Sequence, residues 1–214
     1  MEQRPVSEFT KLNFKALGKI ELTQADIEEL TIEADAEVCA RIKTEVVDGT
    51  LVISYSSDWL DWLSTPLFGK DKLVFHLKMK DIEELTLAGP GNLTSIKVSA
   101  PALKVVLDGP GLINIDNVTA TDLLVEISGV GSVNLDGKVT SQKVSLDGAG
   151  NYSGGKLESE STIVQLSGVG NAVVWATNFL RAEITGAGGI EYNGHPKIEQ
   201  RISGVGMLKS LSES

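Results

Sequence analysis

Apolar and polar residues alternate along this chain in short runs, and one recurring turn separates the runs. Four and two residues before a glycine stand Leu85 and Leu87, Val105 and Leu107, Val125 and Ile127, Val144 and Leu146, Val164 and Leu166, Ala182 and Ile184, and Gln200 and Ile202. Thirteen of these fourteen positions are apolar. The turn is a G-x-G triplet: Gly89 and Gly91, Gly109 and Gly111, Gly129 and Gly131, Gly148 and Gly150, Gly168 and Gly170, Gly186 and Gly188, and Gly204 and Gly206. Two residues beyond each triplet come Leu93, Ile113, Val133, Tyr152, Ala172, Ile190 and Leu208. Alternation on both sides of a fixed corner means strand, corner and strand, each with one buried face. Successive triplets are 20, 20, 19, 20, 18 and 18 residues apart, too close for a crossover helix beside two strands.

A unit this short, repeated seven times, predicts an all-β fold: a single-stranded parallel β-helix with 18–20-residue rungs cornered by G-x-G. Each strand would pair with its equivalent one rung away, about 4.8 Å along the axis. The general preference for right-handed crossovers predicts a right-handed coil. The corner glycines would supply either φ > 0 or close approach to the neighbouring rung. An antiparallel meander is the rival, but it favours Asn-Gly or Asp-Gly hairpins and does not need identical corners. The first eighty residues lack the triplet. Residues 9–17, 20–23 and 30–33 alternate, as do Leu73, Phe75, Leu77 and Met79, and residues 46–53 read as two strands joined at Asp48-Gly49. The expectation is a single β-helix domain over 1–214, with irregular rungs over 1–80 that cap one end and seven repeats over 81–214.

Composition narrows the function classes. Among 214 residues the formal net charge is −10, which argues against nucleic acid, since phosphate binding needs a Lys/Arg surface. The longest apolar run, 172–176, is far short of a membrane span, so no transmembrane segment is expected. One cysteine, Cys39, makes no disulfide framework or Cys-based zinc site, and the apolar residues around it predict a buried thiol. The opening Met1-Glu-Gln-Arg-Pro5 has no signal-peptide pattern, so the chain is either cytoplasmic or a segment without its targeting peptide.

Candidate chemistry is sparse. No triplet continues to G-x-G-x-x-G, so the glycines read as structural corners and not phosphate cradles. Stacking would align Ala88, Asp108, Ser128, Asp147, Ser167, Thr185 and Ser203 in one column. Calcium is the rarer use of such a column and corner hydrogen bonds the commoner one, with Asn92, Asn151 and Asn171 acting similarly. His76 and His195 read as surface residues, and no triad can be built from them. Outward acids such as Glu126, Asp108, Asp147 and Glu183 are plentiful without forming a marked pair. The ligand- or partner-binding candidates are aromatic. Trp59, Trp62 and Phe68 share the segment 56–70, which either projects as a binding loop or folds back as a cap, and Trp175 points outward by the parity of Ala172 and Val174.

The recurring Ser-Gly-Val-Gly (128–131, 167–170, 203–206), Asp-Gly-Ala-Gly (147–150) and Tyr192-Asn-Gly-His-Pro196 resemble the GIN-domain family, whose members are described as autotransporter-adhesin heads. Arg4-Pro-Val-Ser-Glu-Phe9 and the stretch 42–51 are similar to its opening strands. The resemblance implies a β-helical bacterial protein, exported or envelope-attached, with no catalytic motif and no cofactor. The expected function is a non-catalytic adhesin-like module, extracellular or on the cell envelope, that binds a glycan or a cell-surface protein. A self-associating structural protein, hence a homo-oligomer, is the alternative. A polysaccharide-active enzyme is third, by analogy of fold alone.

Overall fold

The computed structural model describes residues 1–55 and 73–211. Five long strands, β10 (Val98–Leu107), β11 (Pro110–Ile127), β12 (Val130–Leu146), β13 (Ala149–Leu166) and β14 (Val169–Ile184), form successive rungs. Each pairs in parallel with the next, one repeat offset, so that Gly111 lies beside Gly131 and Gly131 beside Gly150. The last turns are split: β14 carries both β15 (Ala187–Asn193) and β16 (Lys197–Ile202), and β15 carries β17 (Val205–Ser210). The glycine column continues through them, with Gly170 beside Gly188 and Gly188 beside Gly206. The result is a β-solenoid with parallel stacked coils. No helix among the described residues is long and apolar enough to cross a membrane.

Close approach is what makes the corners glycine. A Cβ on Gly129 would fall on the carbonyl oxygen of Gly109, and one on Gly131 on that of Gly111. Further along, Gly170 meets the carbonyl of Gly150 in the same way, Gly188 that of Gly170, and Gly206 that of Gly188. Of the two reasons expected for these glycines, close approach thus holds along the column and a positive φ only at some members. Gly131 has φ +148°, so both reasons apply there, whereas Gly206 rests on close approach alone. Just before the corner, the amides of Ser128 and Gly129 both donate to Leu107 O, at 3.0 Å each. That shared acceptor locks one rung's turn onto the rung below.

The rungs have more bends than the triplet marks. Along β11 the buried residues are Ile113 and Ile115, then Val118 and Ala120, then Leu123, Val125 and Ile127. The alternation therefore slips twice within one strand, giving three runs per rung. The first slip is an irregularity between Ile115 and Val118 in the pairing with β12, where Gly137 has φ +130°. Within the coil, equivalent residues stack in columns such as Leu85, Val105, Val125, Val144 and Val164, all fully buried.

The N-terminal part departs from the expected chain order. Three rungs precede β10: β6 (Thr50–Tyr55) with β7 (Val74–Met79), β2 (Lys11–Phe14) with β3 (Gly18–Gln24), and β8 (Glu84–Leu87) with β9 (Gly91–Ser95). β2 pairs in parallel with both β6 and β8, and β3 with both β7 and β9. Residues 11–24 are thus sandwiched between two rungs made later in the chain. Phe14 meets Phe75 edge-on, ring centroids 5.0 Å apart. Beyond β6 and β7 the pairing turns antiparallel: β4 (Glu29–Glu33) lies on β7, β1 (Glu2–Arg4) on β4, and β5 (Ile42–Val47) on β6. The β5–β6 hairpin turns at Asp48-Gly49, with φ +48° and +71°, as an Asp-Gly turn requires. A short helix, α1 (Ala36–Cys39), precedes it.

Candidate functional site

Trp175 sits on β14 between Glu158 of β13 and Asn193 of β15. Its neighbours Val174 and Ala176 are fully buried, so the indole faces outward and is half-buried. It lines a shallow cavity of about 360 Å³ with Gly155, Asn193 and Gly194. Asn193 Nδ2 donates to Gly155 O at 2.9 Å, bridging the strands on either side. A side chain at Gly194 would come within 3.3 Å of Trp175 Cδ1. A side chain at Gly155 would instead meet Val173 Cγ1, at 3.0 Å, so of the two glycines lining the cavity it is Gly194 that leaves the indole edge open.

The cavity arises where the repeat shortens. Triplets are 20 residues apart from Gly148 to Gly168 but 18 from Gly168 to Gly186. Between Ser153 and Glu158 the longer rung takes five steps while β14 takes two, from Val173 to Trp175, and between Ser159 and Ser161 β14 regains one step, from Ala176 to Phe179. That change of spacing was the available signal, and parity alone could not place the neighbours.

Behind Trp175 lies a buried polar cluster that the pattern reading missed. Tyr152 Oη donates to Gln142 Oε1 at 2.9 Å. Gln142 Nε2 donates to Ser159 Oγ at 3.0 Å and to Thr162 Oγ1 at 3.2 Å. Ser159 and Thr162 hydroxyls are 2.6 Å apart, and Ser159 Oγ donates to Trp175 O at 2.8 Å. One proton assignment fits: Ser159 gives its proton to the carbonyl, so Thr162 gives its own to Ser159. Burial pushes the Tyr152 phenol far above its ordinary value and keeps it a donor. Gln142 and Thr162 occupy a column otherwise held by Leu103, Leu123 and Leu180. Two polar residues at apolar positions were the sequence signal.

The other candidates are spread over the solenoid. In the corner column Ser128 Oγ donates to Asp108 Oδ1 at 2.7 Å and Ser167 Oγ to Asp147 Oδ1. Beside it Asn171 N donates to Asn151 Oδ1 and Gly189 N to Asn171 Oδ1. Among the described residues no three His, Cys, Asp or Glu are placed to hold a metal ion. Glu126 pairs with Lys104 at 2.9 Å, which raises the lysine pKa, and Glu183 accepts from Gln165. His76 stands between Glu21 and Glu33, each 3.2 Å from one ring nitrogen, a pairing that no local spacing announces. Lys19 beside Glu21 holds that carboxyl below its ordinary value. His195 is exposed, and Cys39 is buried, which raises its thiol pKa. Trp59, Trp62 and Phe68 lie outside the described residues. A second feature missed in the sequence is the middle of the triplet. Pro90, Pro110, Val130, Ala149, Val169, Ala187 and Val205 are all apolar and all exposed, forming a ridge along the corner.

A family model described as "Putative auto-transporter adhesin, head GIN domain" matches residues 8–196. A solved structure described as a putative adhesin from Bacteroides fragilis superposes with TM-score 0.90 at 25% identity, over 98% of this chain and 95% of that one. Two Parabacteroides distasonis structures share the fold. One, described as a putative lipid binding protein, has TM-score 0.72 at 20% identity, covering 99% of this chain and 96% of that one. The other, described as a putative adhesin, has TM-score 0.72 at 18% identity, covering 98% and 95%. No curated protein matches the chain in sequence. Matched over most of its length by the family model, the chain belongs to the family of the auto-transporter adhesin head GIN domain.

Proposed function

We propose that this chain is a non-catalytic binding head of a bacterial surface adhesin and that it takes a glycan at the Trp175 cavity. The observation that carries the reading is the half-buried indole that lines a cavity with Gly155 and Gly194, its edge left open at Gly194, beside the Asn193 amide. An indole face packs against the C–H face of a sugar ring, and a flanking amide gives the polar contact that orients it. The volume of about 360 Å³ fits one or two sugar rings held in a shallow contact. The buried cluster beneath, bonded to Trp175 O, holds the backbone of the site in place. Membership in an adhesin-described family and the likeness to a Bacteroides fragilis protein described as an adhesin support a surface role.

The test is a glycan array on the wild-type chain and on Trp175→Ala, with thermal melts on both. Saturable binding that weakens at least about tenfold in Trp175→Ala, at an unchanged melt, is the expected result. Undiminished binding in that variant, or binding lost instead in Trp59→Ala/Trp62→Ala, would remove Trp175 from the site. A chain that binds no glycan overturns the glycan reading.

A further inference from the structure

The two ends of the solenoid differ. One is closed by the antiparallel strands β1, β4 and β5. At the other, β16 pairs with β14 and β17 with β15, and among the described residues no strand lies on their outer edges. All six residues of β16 are exposed. By register Ile198, Gln200 and Ile202 continue the inward columns of Leu180, Ala182 and Ile184. Yet Ile198 is 39% and Ile202 40% exposed, while Leu180 and Ile184 are fully buried. An open edge with apolar residues on its core side is a template for another strand.

We propose that this edge pairs with β16 of a second copy, antiparallel, about a two-fold axis through Gln200. Self-pairing permits few registers. A two-fold between residues would set the core side of one strand against the outer side of the other. Centred on Glu199 it would oppose two carboxylates and set Lys197 against Arg201. Centred on Arg201 it would oppose two guanidinium groups. Centred on Ile198 it would bring Pro196, which has no N–H, against Gln200. Centred on Gln200, Ile198 meets Ile202 on the core side and Glu199 meets Arg201 on the outer side, each twice. The two Gln200 amides face each other and can exchange N–H···O bonds. Gln200 is the one polar residue among the fourteen strand positions that precede the triplets, and the two-fold accounts for it. The axis turns one solenoid end for end, so the two open cores cover each other. A head-to-tail stack would instead place this edge against the closed end.

The interface is independent of the Trp175 reading and is tested without a glycan. Sedimentation velocity across a concentration series gives twice the 22.8 kDa chain mass if the pairing forms. Gln200→Cys forms an inter-chain disulfide on mild oxidation, because directly opposed Cα atoms lie about 4.5–5.5 Å apart. The native Cys39 is buried and does not compete. Arg201→Glu opposes carboxylates and Glu199→Arg opposes guanidinium groups. Each variant alone associates at least about tenfold more weakly, and an equimolar mixture of the two regains the dimer, because every opposed pair is then of opposite sign. That rescue separates a broken interface from a broken fold. A monomer at every concentration, an open-ended series of larger species, or a dimer that ignores Arg201→Glu and leaves Gln200→Cys unlinked overturns the proposal.

Discussion

At each corner the carbonyl of the rung below occupies the place where a Cβ would stand, so a side chain there must push two rungs apart. Gly131 adds a positive φ to that overlap. Gly131→Ala is expected to cost about 3 kcal/mol in urea unfolding, from overpacking together with backbone strain. Gly49→Ala separates the two causes. It has nothing within 4 Å of its Cβ and a φ of +71°, so strain alone remains, about 1 kcal/mol. Equal losses at the two positions would refute close approach as the reason for the triplet. These glycines were legible because each corner meets the same steric demand and so leaves the same residue behind. His76 was not, because its partners Glu21 and Glu33 reach it only through strand pairing.

Between neighbouring strands, the buried polar cluster ties β12, β13 and β14 together through Gln142, Tyr152, Ser159 and Thr162. Tyr152→Phe leaves Gln142 Oε1 in the core without its donor and is expected to cost about 2 kcal/mol by chemical denaturation. Adding Gln142→Leu, which removes the stranded acceptor but breaks the bonds to Ser159 and Thr162, should shift stability by less than the sum of the single changes. Strict additivity would mean that the cluster is not one network. The strands themselves were readable from alternation around a fixed turn. Their internal bends were not, because they fall on different residues from rung to rung: Asp116-Asn117 stand opposite Asp136 alone, and Gly154-Gly155 opposite Leu135 alone. A bend that several residue types can make leaves no mark in the sequence. The Trp175 cavity follows the same rule: parity gave the outward indole, but its walls come from strands whose offset depends on where a longer rung absorbs two extra residues.

For the molecule as a whole, the stacking order differs from the order of the chain. Parallel solenoids derive stability from nearest-neighbour contacts, so trimming a terminal rung normally removes one interface. Removing residues 1–24 would instead empty a layer that has rungs on both sides. That truncation is expected to abolish the cooperative thermal transition, and a chain that still melts sharply near the wild-type temperature would contradict the stacking order. The repeats were legible because each resembles its neighbours. The N-terminal order was not, because nothing local to residues 11–24 records which later segments flank them.

The sandwiched layer also bears on how the chain folds. As the chain is made, residues 11–24 come first, but one of their edges is covered only once β6 and β7 exist and the other only once β8 and β9 follow. The first rung therefore cannot template the second, and contacts on either side of it span long stretches of sequence. The uniform coils from β10 to β14, each pairing with the one made just before, can form early. The amino-terminal end, which looks in the finished solenoid like the place where winding began, would then be the last part to close.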